Sequence, residues 1–218
     1  MTQKSVRELI DAVAPRVGGV RQKVYSNRLR MFYARREYAK LVGAVKTELG
    51  LDMRLTLAKV RSGGPEKSAT WAAWIEMPTS MPPYGSHAFK KLHLTVYLRN
   101  EFIKSAPFEC VVFTIAHEMA HVVLDSIGHP LCRDERAVDI TAMILGFAEF
   151  NESMVYQEKS IEAAYVWGAM TWRKRLSLWL QSRRIRWKKN DEHHRFMKAG
   201  YLTQEEVTEA IQLIKKLR

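Results

Sequence analysis

The chain has 218 residues, 47% of them hydrophobic, and a formal net charge of +12. It is long enough to bury a core and too apolar to be disordered throughout. No stretch approaches the ~18 apolar residues of a membrane span. The opening MTQKSVRELIDAVAPR lacks the basic, apolar and small-residue order of a signal peptide. The two cysteines, Cys110 and Cys132, make no disulfide framework, so the cytoplasm is the expected compartment.

The charge is unevenly spread. Residues 1–50 hold 11 Lys/Arg against 4 Asp/Glu, residues 51–150 hold 10 against 11, and residues 151–218 hold 14 against 8. This divides the chain into an N-terminal basic helical region, a near-neutral core over 51–150 and a C-terminal basic helical region, expected to pack as one unit. Basic ends suit nucleic acid, an acidic protein or an anionic surface as partner, and equally a solvated face that aids solubility.

In chain order, residues 4–13 read as a short helix broken by Pro15 and Gly18-Gly19. Residues 20–49 read as one long, arginine-rich helix stopped at Gly50. Residues 53–60 alternate as a strand, 62–65 form a loop, and 70–77 are a second strand candidate. A proline-rich loop fills 78–91. Residues 92–98 make the clearest strand, with Leu92, Leu94, Val96 and Leu98 on one face and His93, Thr95 and Tyr97 on the other. Ser105 and Pro107 suit the start of a helix over 108–125, apolar nearly all round and therefore buried. Gly128-His129-Pro130 ends it. Further helices are expected over 134–149, 155–188 and from Thr203 to Leu217, where Thr203 and Glu206 have capping-box spacing.

The buried helix contains His117-Glu118-Met119-Ala120-His121, an HExxH segment. Residues four apart lie one above the other on a helix, so both imidazoles can reach one ion. Nitrogen ligands at roughly 2.0–2.1 Å suit zinc. Glu118 lies one step round and can take the proton of a metal-activated water. An unpaired buried polar group costs roughly 1–3 kcal/mol, so this triad in an apolar helix calls for a partner. Glu135 follows His121 by 14 residues, room enough to turn and start another helix, and is the expected third ligand. Asp139, four residues further on, shares its face and can accept the outer N–H of a ligand histidine. His129 is an alternative third ligand. Cys110 lies two turns before His117, about 10 Å along the axis, too far for the same ion. His87 and His93 have no assigned role.

HEMAH followed by ERAVD resembles the gluzincin metallopeptidases, in which HExxH is joined by a downstream glutamate ligand and often an aspartate four residues later. Within that clan the short spacing and the run ERAVDITAMILGF look most like the ImmA/IrrE group, although Val138 stands where an alanine is usual. The resemblance spans roughly residues 92–147. It implies an α+β, zincin-like fold with a small mixed sheet and a buried active-site helix, flanked by added N- and C-terminal helices. It also implies a zinc cofactor and endopeptidase activity on a selective, regulatory protein substrate. In such a fold the 92–98 strand should be the sheet edge facing the cleft, where a peptide would pair. Tyr84, His87, Tyr156 and His193 are candidates to stabilise the oxyanion. SprT-like proteases are a second resemblance, but their third ligand is usually histidine.

From Arg173 to Lys198 ten Lys/Arg are interleaved with Trp179, Trp187 and Phe196. This pattern suits phosphate contact with base stacking, and equally a long helix packed through Trp172, Leu176, Trp179 and Leu180. The competing reading of the whole chain is a nucleic-acid- or partner-binding protein with a structural or vestigial metal.

Overall fold

In the computed structural model the described residues are 4–60, 72–151 and 200–218. The loop at 62–65, the helix expected over 155–188, the basic stretch 173–198, Tyr156 and His193 lie outside them. The fold is α+β. Helices α1 (Val6–Val13), α2 (Ser26–Ala34) and α3 (Tyr38–Glu48) lead into β1 (Arg54–Val60) and β2 (Ala73–Ile75). Then come α4 (His87–Lys91), β3 (His93–Arg99), α5 (Asn100–Ser105), α6 (Phe108–Ser126) and α7 (Glu135–Ala142). A π-helical stretch, Met143–Phe147, follows α7, and α8 (Gln204–Leu217) comes last. No helix among the described residues is long and apolar enough to cross a membrane.

The expected long helix over 20–49 is instead two helices. Arg36 adopts φ 58° between them. The Arg36 amide donates to Tyr33 and the Glu37 amide to Phe32, both at 2.9 Å, which closes α2 in a Schellman turn. The usual sign of that turn is glycine or asparagine, so arginine hid it. Gly50 does take the left-handed cap after α3, at φ 71°. Residues 20–25 run as extended chain instead of helix.

The helix expected over 134–149 is also interrupted. Within the π-helical stretch Gly146 sits at φ 109°. The extended segment crosses here: the Arg21 amide donates to the Ile144 carbonyl (2.9 Å) and the Val24 amide to that of Gly146 (3.0 Å). A Cβ on Gly146 would meet the Gln22 carbonyl oxygen at 2.5 Å, so only glycine lets the two backbones touch. Ser105 does not cap α6: it ends α5, its hydroxyl donates to Glu101 O, and Pro107 is the cap position. The 78–91 loop contains α4, capped by Ser86.

The three strands lie in the order β1–β3–β2. β3 pairs parallel with β1 (Leu57 opposite Val96) and antiparallel with β2 (Trp74 opposite Tyr97). The 92–98 strand is therefore central, and the expectation that it forms the edge facing the cleft is overturned. β1 pairs with it along its whole length and β2 with Val96–Leu98, and Leu94, Val96 and Leu98 are buried. Among the described residues the edge strand beside α6 is β2.

Helix α6 is buried on almost every side and packs against α7, α3, α2 and β2. One hydrophobic cluster runs from Val6 and Leu9 of α1 through Phe113, Ile115 and Met119 of α6 to Val207 and Ile214 of α8. The two ends thus share the core with the middle. Arg136 fastens them: its guanidinium donates to the Lys4 carbonyl at 2.7 Å and pairs with Glu206.

Candidate metal centre

Two helices build the site. His117 and His121 face the same way on α6, with ring centroids 5.0 Å apart. The turn after α6 uses Gly128 at φ 60°, and Asp134 then caps α7 by accepting the amides of Arg136 and Ala137. Glu135 is thereby placed in the first helical turn of α7, facing the two histidines. Its Oε2 lies 3.2 Å from His117 Nε2 and 3.3 Å from His121 Nε2. Among the described residues these three offer one ligand atom each, all within 4.8 Å of one another.

The outer nitrogens are also engaged. His117 Nδ1 is 2.7 Å from Asp139 Oδ1, and His121 Nδ1 is 3.3 Å from the Cys132 carbonyl oxygen. Both rings are held with Nε2 toward Glu135. The donor set of two imidazole nitrogens and one carboxylate, with the outer nitrogens backed by a carboxylate and a carbonyl, fits a divalent metal such as zinc. The group could hold a metal ion.

His117, His121, Glu135 and Asp139 form a charge cluster. Burial opposes charge on His117, but hydrogen bonds to Asp139 and Glu135 override it and lift its pKa to about 10. Glu135 is half-buried, which works against ionisation, yet the two histidines pull its pKa down to about 2. Glu118 moves the other way. Burial pushes it up and the Glu135 charge adds to this, against the two histidines and a backbone hydrogen bond from Ile75 of β2.

His129, the alternative third ligand, is spoken for elsewhere. Its Nδ1 accepts the Leu131 amide at 3.1 Å, so Nε2 carries the proton and donates to the Ala12 carbonyl at 3.2 Å. Tyr84 donates its hydroxyl to Gly50 O at 2.7 Å and packs on Phe89, while His87 is exposed on α4. His93 lies beside Thr56, at 3.2 Å. None of these belongs to the His117, His121 and Glu135 group.

One residue at the site had no signal in the sequence. Tyr201 stacks on the His117 ring, with centroids 5.6 Å apart and planes 23° apart. Its backbone amide donates to Asp139 Oδ2 at 2.5 Å, and that of Leu202 to the same oxygen at 3.2 Å. Partial burial, then the charges of Glu135, Glu118 and Asp139, raise the pKa of its phenol. No spacing rule links it to the HExxH segment 80 positions earlier.

The chain matches no protein-family model, no curated protein and no solved structure.

Proposed function

We propose that this chain is a zinc-dependent endopeptidase acting on a selective protein substrate, with Glu118 as its general base. The observation that carries this reading is the convergence of His117, His121 and Glu135 on one point, with Glu118 one step round the same helix. A zinc ion held by those three side chains would polarise a carbonyl and make water acidic near neutral pH. Asp139 and the Cys132 carbonyl fix the two rings so that each Nε2 can serve as a lone-pair donor. Burial keeps Glu118 a better base than an exposed carboxylate, suited to take a proton from water and pass it to the leaving amine. The Ile75 backbone acts on the Glu118 carboxylate, which brings that carboxylate near strand β2. An extended peptide added to that edge would pass the base.

The competing reading, a binding protein with a structural metal, normally requires four protein ligands, and the described group has three. The decisive variant is Glu118→Gln. It should retain zinc while losing about 10²–10⁴ in cleavage rate. Comparison of new protein termini in a proteome treated with wild type or variant gives the measurement. Equal cleavage by both would reject the peptidase reading.

A further inference from the structure

The feature the HExxH reading leaves over is Tyr201. Three observations bear on it. First, it is fixed by its backbone: Asp139 Oδ2 accepts the amides of Tyr201 and Leu202. The Leu202 side chain is buried, and the Thr203–Glu206 capping box starts α8 immediately afterwards. Second, the residue is 50% exposed, yet its ring lies against the metal-facing His117. Third, among the described residues the Tyr201 hydroxyl has no hydrogen-bond partner. A phenol stacked beside a candidate reaction centre, with its main chain anchored and its donor unspent, is an arrangement suited to binding charge that develops on a substrate.

We propose that Tyr201 is a substrate-contacting residue of the metal centre, its phenol donating a hydrogen bond to the carbonyl oxygen under attack. This rests on the peptidase reading and extends it. The C-terminal segment then supplies part of the reaction centre, and Asp139 serves two masters through its two oxygens. Oδ1 orients His117, while Oδ2 seats Tyr201. The two contacts keep the phenol and the first histidine in register.

The test is Tyr201→Phe, which preserves the ring stack and every backbone contact. Cobalt(II) binding is followed by its visible spectrum, and the loaded protein is then titrated with acetohydroxamic acid as a small carbonyl-bearing probe. Wild type and variant should bind cobalt equally, and the variant should hold the probe about five- to tenfold more weakly, the loss of one hydrogen bond. Equal probe affinity would overturn the assignment. Weakened cobalt binding in the variant alone would also overturn it, by making the phenol a ligand. If wild type itself takes up no cobalt, the metal reading fails beneath it, an outcome separable from the other two. With a cleavable peptide in hand, the same variant should lower kcat and leave KM nearly unchanged.

Discussion

Asp139 and Tyr201 are joined through a carboxylate and a main-chain amide: Oδ2 of the aspartate accepts the tyrosine N–H at 2.5 Å, while Oδ1 faces His117. The aspartate is wholly buried and its acceptors are shared between two distant parts of the chain. Asp139→Ala should therefore lower zinc affinity by about 10–100-fold, the usual penalty for losing an outer partner of a ligand histidine. The same substitution should speed hydrogen exchange at the Tyr201 and Leu202 amides. Chelator competition and exchange mass spectrometry read the two effects separately.

The metal-free protein should be most stable between about pH 4.5 and 6.5 as far as this cluster is concerned. The His117 pKa is raised from 6.5 to about 10, so its contribution is full below 6.5 and is lost as pH climbs through 10. The Glu135 pKa is lowered from 4.5 to about 2, so its contribution is full above 4.5 and fades as pH falls through 2. Melting temperature against pH, with chelator present, measures this. Because His117 must give up a proton to bind metal, zinc uptake at pH 7.5 should release about one proton. Calorimetry in two buffers of different ionisation enthalpy counts it.

Gly146→Ala should destabilise the fold by about 3 kcal/mol, combining a strained left-handed backbone with a clash. The clash is with the backbone oxygen of Gln22, which cannot swing aside as a side chain would. Urea melts would show it. A loss well under 1 kcal/mol would mean that the extended segment 20–25 is not seated as described.

Arg36→Gly should act in the opposite direction. Arg36 holds φ 58° in the turn between α2 and α3, a conformation that costs an L-residue about 1 kcal/mol. Relief of that strain, less the greater entropy of glycine in the unfolded chain, should leave a gain of about 0.5 kcal/mol. Chemical denaturation of the pair measures it.

Much of the site could be read from the sequence because it is local. His117 and His121 are one helical turn apart, as are Glu135 and Asp139, and helical spacing alone brings each pair to one face. Strand order was not legible. Alternation along 92–98 identifies the buried face of a strand but says nothing about which neighbours occupy its two edges, and those are set by β1 and β2. The turn at Arg36 was hidden because the backbone there pays a cost that its residue type does not advertise. The break at Gly146 was hidden because its cause, the crossing of residues 20–25, lies more than a hundred positions away. Tyr201 was missed for the same reason: a buried carboxylate and two amides bring it to the site.

The contacts of Arg136 carry a consequence for cooperativity. Glu135, of the group that could hold a metal ion, is one peptide bond from the residue whose guanidinium reaches both the Lys4 carbonyl and Glu206. If an ion is held there, ligation and docking of the two terminal segments become linked equilibria, and linkage is reciprocal. Occupancy of the centre would then raise the free energy needed to peel α1 or α8 from the core, and any partner that drew those helices away would lower affinity for the ion by the same factor.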